Sequence, residues 1–159
     1  MTIRTDPRTH YEAMGDIAYN CRYYLMQERF FSKLSGLLKM ITFLSGSSAF
    51  AGFLSADLKL AGIAGLVSAI STGLDFIINP SKNAYVCNEV YRRYREIERS
   101  AAKLTLEKLD AQLVEMKAVN APSIEALRRP AYNDACVERS RADVKLKITP
   151  WEWFIAKLA

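Results

Sequence analysis

The residues able to carry chemistry are few and scattered. The single histidine, His10, lies near a polar N-terminus, so the chain cannot assemble a multi-histidine metal site or a HExxH pair. A Ser/His/Asp triad would have to recruit that same residue. Cys21, Cys87 and Cys136 are far apart, odd in number and without CxxC spacing, which predicts reduced, cytosolic, mostly core thiols rather than zinc ligands or disulfides. No GxGxxG and no GxxxxGK[ST] occurs, and the clustered glycines sit among apolar residues, where they have no strand-to-helix turn from which to cradle phosphate. No catalytic residue, metal ligand or cofactor site is therefore expected, and the chain is read as non-enzymatic. The one polar constellation that stands out is Asp75, one helical turn beyond Ser71 and Thr72, at the end of a long uncharged stretch.

The elements that position these residues follow from an uneven composition. The 159 residues carry a formal charge of +5, with 22 Lys and Arg against 17 Asp and Glu. All but one of those 22 cations lie outside residues 40–78, the exception being Lys59, whereas all the glycines except Gly15 lie within 36–73. The basic residues alternate with acids along helical segments instead of forming one run, so no specific nucleic-acid partner is expected. Length and periodicity predict a single all-α domain over 1–159, an antiparallel helical bundle. Its expected parts are an amphipathic helix over 8–38, two apolar helices at 40–56 and 60–78, a long helix over 81–119, and a helical tail over 120–159. In the tail, Thr149 as N-cap, Pro150 at the first helical position and Glu152 at the capping-box position predict a short terminal helix.

The two apolar segments, MITFLSGSSAFAGFLSA and LAGIAGLVSAISTGL, are uncharged and separated by Asp57-Leu58-Lys59. At 1.5 Å per residue the first is about 25 Å long, or about 32 Å if extended back to Gly36, against a bilayer core of about 30 Å. Ala61, Gly65, Ala69 and Gly73 recur at i, i+4, and Ser48, Gly52 and Ala56 do likewise. Such small-residue ridges let helices approach closely in lipid, where a soluble core would favour Leu. Lys33 and Lys39 before the hairpin, and Lys82, Arg92, Arg93 and Arg95 after it, predict cytoplasmic ends and an outward turn. The first 29 residues hold no apolar run of signal-peptide length, so no cleaved leader is expected. With Asp75 two readings stay open: a polar site at membrane depth, shared with Ser71 and Thr72 and facing a partner or water, or a carboxylate at headgroup level. Trp151, Trp153 and Phe154 are expected to anchor the terminal helix at the membrane interface.

The order of these features resembles the SLATT family. The likeness rests on Tyr11, Tyr19, Arg22 and Tyr23, then the short-linked apolar pair, Asp75, Asn83-Ala84-Tyr85, Tyr91-Arg92-Arg93-Tyr94 and the late Ile148-Thr149-Pro150-Trp151. It covers most of the chain. The resemblance implies a two-transmembrane effector of a prokaryotic antiviral conflict system, residing in the bacterial inner membrane as a homo-oligomer. It also implies pore formation or bilayer disruption triggered by a nucleotide second messenger or a sensor protein from a neighbouring gene. Two other readings are compatible with the residues: a soluble all-α adaptor with the apolar hairpin as its core, and a phage holin or superinfection-exclusion type of membrane protein.

Overall fold

A computed structural model describes residues 8–55 and 57–159, and every regular element among them is helical. Helix α1, His10–Leu54, begins in a capping box: the Glu12 amide donates to Thr9 Oγ1 at 3.3 Å and the Thr9 amide donates to Glu12 Oε2 at 2.8 Å. It then runs unbroken for 45 residues, about 67 Å at 1.5 Å per residue. The separate helices expected at 8–38 and 40–56 are thus one. Nothing between Gly36 and Met40 caps a helix or removes an amide, and a helical glycine costs only about 1 kcal/mol relative to alanine.

The reversal comes at 55–57, earlier than the expected 57–59. The Asp57 side chain accepts the Leu60 amide at 3.1 Å and so draws Leu58 and Lys59 into helix α2, Leu58–Ile78. Helix α2 returns antiparallel along the second half of α1. Asn79, left-handed at φ 46°, stops it, a conformation that asparagine tolerates better than most side chains. Pro80 then opens α3, Pro80–Ala101, needing no amide partner at that position. Helix α3 continues down the first half of α1, burying Ala84, Cys87, Val90, Tyr94, Ile97 and Ala101.

The expected helix over 81–119 is broken after Ala101, and α4, Leu106–Lys117, folds back. The cause is the length of α1. His10 Nε2 lies 3.1 Å from the Ala101 carbonyl oxygen, so α3 reaches the beginning of α1 at that point and a straight continuation would have nothing to pack on. Reversal lets Leu109, Leu113 and Met116 join Ala13, Ile17, Cys21 and the α3 stripe in the main core. A short 3-10 turn, Glu125–Leu127, leads into α5, Arg128–Glu138, which stops where Ser140 turns left-handed at φ 58°. A second 3-10 turn, Ala142–Val144, precedes α6, Pro150–Leu158. Helix α6 has the expected Thr149/Glu152 capping box and Pro150 at its start. Tyr23, Leu127, Ala131 and Ile155 form a second core cluster that seats this tail on α1.

Candidate membrane hairpin

The second half of α1 and the whole of α2 form a hairpin that the rest of the chain leaves uncovered. Phe43 is 72% exposed, Phe53 71% and Phe76 86%, and Phe50, Ile63, Leu66 and Ile70 are also exposed. The buried core lies elsewhere, between the first half of α1 and helices α3 to α6. Both long helices have the length and composition to cross a membrane. The adaptor reading takes the hairpin as the core of the chain; here most of its large apolar side chains are exposed.

What the two helices bury against each other is small and polar. On α1 the seam runs through Ser35, Leu38, Thr42, Ser45, Ala49 and Gly52; on α2 it runs through Ala61, Ala64, Ser68, Ser71 and Asp75. Both rows alternate steps of three and four residues, the spacing that keeps one stripe facing a partner helix. At the tip, a Cβ on Gly52 would lie 2.8 Å from the Ala61 amide nitrogen, 3.2 Å from its Cα and 3.3 Å from the Asp57 carbonyl oxygen, so only glycine fits. Midway, the buried Ser71 hydroxyl donates to the Leu38 carbonyl at 3.1 Å, beside a hydroxyl of Ser45 that donates to its own helix at Ile41. At the base, the Ser35 and Ser81 hydroxyls are 2.7 Å apart and Lys39 Nζ donates to Ser81 Oγ at 3.1 Å.

Of the two small-residue ridges expected from the i, i+4 spacing, the structure brings together Gly52 and Ala61. Gly65 and Gly73 have nothing within 4 Å of where a Cβ would stand, and Ala69 and Ser48 are exposed. Ala56 lies outside the described residues. An i, i+4 row drifts about 40° per step on a straight α-helix, about 120° between Ala61 and Gly73, so it cannot follow one seam. The alternating row was present in the sequence and marks the interface instead.

The polar trio divides in the same way. Ser71 faces the seam, whereas exposed Thr72 donates to the Ser68 carbonyl of its own helix at 2.8 Å. Asp75 is half-buried in the seam, with one carboxylate oxygen enclosed and unpartnered among the described residues. On α6, Trp151, Trp153 and Phe154 are all exposed while Ile155 is buried. Lys157 Nζ sits 4.9 Å from the Trp153 ring centre.

The remaining titratable groups are structural. Cys21 and Cys87 are buried, and desolvation pushes both thiols up to about 12, too high for a nucleophile near neutral pH. A cleft of about 450 Å³ lies at the other end of the molecule between the start of α1 and the end of α5. Its arginines are already engaged. Arg8 pairs with Asp16 and Asp110, Arg141 pairs with Asp143 at 3.0 Å, and Arg139 stacks 4.1 Å from the Tyr11 ring centre while donating to the Tyr11 carbonyl. Gly15 makes room for that guanidinium, since a Cβ there would fall 2.3 Å from Arg139 Nη1.

Compared with known proteins, the chain matches no family model, no curated protein and no solved structure.

Proposed function

We propose that this protein is a non-enzymatic membrane effector, a helical hairpin inserted in a bilayer and carried by a helical head on the cytoplasmic side. The observation that carries the reading is the polarity of the hairpin, with Ser, Gly, Ala and Asp75 turned inward and Phe, Leu and Ile turned outward. In water that arrangement exposes a continuous apolar surface. In lipid it is the stable one, because hydroxyls and close backbone contact supply the association that hydrophobicity cannot. Ser55, Asp57 and Lys59 at the tip of the hairpin would mark the far side, and Lys33, Lys39 and Lys82 the near side.

The effector role follows from this placement together with the SLATT likeness. Copies assemble in the bacterial inner membrane and permeabilise it when the head receives a nucleotide signal or a sensor protein. Gly65 and Gly73, unoccupied within one chain, offer the faces on which a second copy would close. The test is fractionation followed by leakage. Protein retained in membranes after carbonate washing, and dye release from vesicles that Gly65→Leu abolishes without loss of membrane retention, is the expected result. Full solubility without detergent would return the protein to the class of soluble helical adaptors. Retention without leakage, in vesicles that hold no trigger, would show that the chain does not open the bilayer unaided.

A further inference from the structure

We propose that α6 is a foot that rests on an anionic lipid surface and sets the depth at which the hairpin enters; this rests on the membrane reading above. The Lys33 ammonium donates to the Ala159 carbonyl at 3.4 Å, and Ile155 packs against Tyr23 and Leu127, so α6 is held on α1 beside residues 23–33. Met40, where the uncharged stretch starts, is seven residues beyond Lys33, about 10 Å along the helix axis. The foot therefore stands at the base of the apolar hairpin. Trp151 at 64% and Trp153 at 53% exposure are large amphipathic rings, joined by exposed Phe154, on the outside of a helix whose inner face is Ile155 with Ala156 and Ala159. Rings of this kind prefer the headgroup level, where one part is dry and the nitrogen is wet.

Charge names the lipid. Exposed Lys145 and Lys147 lead into α6 and Lys157 lies in its last turn. The acids of the same stretch are already occupied, Asp143 by Arg141 at 3.0 Å, and Glu152 by its capping role and by Arg129 at 3.6 Å. Lys33, Lys39 and Lys82 continue the basic rim at the hairpin base. A rim of uncompensated ammonium groups around exposed aromatics matches anionic phospholipid headgroups rather than zwitterionic ones.

The chain has two tryptophans, both in α6, so native fluorescence reports this helix alone. The full chain is reconstituted into phosphatidylcholine vesicles with and without phosphatidylglycerol, each carrying lipids brominated near the carbonyl or deep in the acyl chain. The expected result is blue-shifted emission quenched about twofold more by shallow than by deep bromines, and more strongly in the anionic vesicles. Lys145→Gln, Lys147→Gln and Lys157→Gln together should remove the dependence on anionic lipid. Carbonate retention of the same vesicles reports the hairpin separately. Unquenched emission in vesicles that retain the protein overturns the foot and leaves the membrane reading standing; an unquenched blue shift would place the aromatics against a second copy instead. Equal quenching in both lipids overturns the anionic preference.

Discussion

At the residue scale, the most costly group in the head is Gln27. It is fully buried, and neither its amide nitrogen nor its oxygen has a hydrogen-bond partner among the described residues. A buried polar group left unpaired costs about 1–3 kcal/mol, a penalty that an apolar side chain of similar shape does not carry. Gln27→Leu should therefore raise the stability of the head by about that amount, seen as a higher urea midpoint with an unchanged slope. A lower midpoint would mean that the amide is satisfied in solution. Gly52 makes the opposite case. Even Gly52→Ala places a methyl group 2.8 Å from the Ala61 nitrogen, and overpacking of this kind costs about 1–3 kcal/mol. Its melting temperature in detergent should fall, whereas Gly65→Ala, which meets open space and gains the higher helix propensity of alanine, should hold or raise it. The sequence announced that small residues matter in the hairpin, but not which ones, because a ridge counted in fours and a seam counted in threes and fours share Ala61 and then separate. Gln27 gave no signal at all, since a glutamine among charged neighbours in an amphipathic helix reads as surface until the fold buries it.

At the element scale, local chemistry was legible where a cap or a proline acts alone. Thr149-Pro150-Trp151-Glu152 specifies the start of α6 within four residues, and α6 begins there. Asn79-Pro80 specifies the junction of α2 and α3 in the same way. The α3–α4 reversal was not legible as a break, because Ala102-Lys103-Leu104-Thr105 holds no glycine or proline and what forbids continuation is the end of a different helix. The shift of the apolar stripe after Leu104 was its only trace. Since tertiary packing makes this turn, the turn should depend on the residues that α4 buries. Leu109 is fully buried against Ala13 and the α3 stripe, and Leu109→Ala should destabilise the head by about 2–5 kcal/mol. The measurement is chemical denaturation, with amide exchange in 106–117 as the local readout. Exchange that accelerated equally in α2 would show that hairpin and head open as one unit.

At the scale of the whole molecule, α1 joins two bodies held together by different forces. The head rests on apolar burial among α1, α3, α4 and the tail, while the hairpin rests on small-residue contact and hydroxyl hydrogen bonds within an apolar exterior. The two should respond differently to pH. In the head, burial pushes Cys21, Cys87 and Tyr94 up to about 12, from ordinary values of 9.0 for the thiols and 10.0 for the phenol. Well below pH 9 all three are protonated in the folded and the unfolded chain, so their contribution to stability is fully present. Between pH 9 and about 12 the unfolded chain releases protons that the folded one still holds, and stability falls steadily with a slope set by that difference. The hairpin offers no such group along its apolar outer face. Far-ultraviolet circular dichroism of the chain in lipid nanodiscs, titrated from pH 8 to 12, should lose the helicity of the head while that of the hairpin persists. Alkaline carbonate, which strips peripheral proteins, would then loosen the head without extracting the chain. A single transition that removed all helicity, accompanied by release from the lipid, would show instead that the hairpin is held in place by the head and does not span the bilayer on its own.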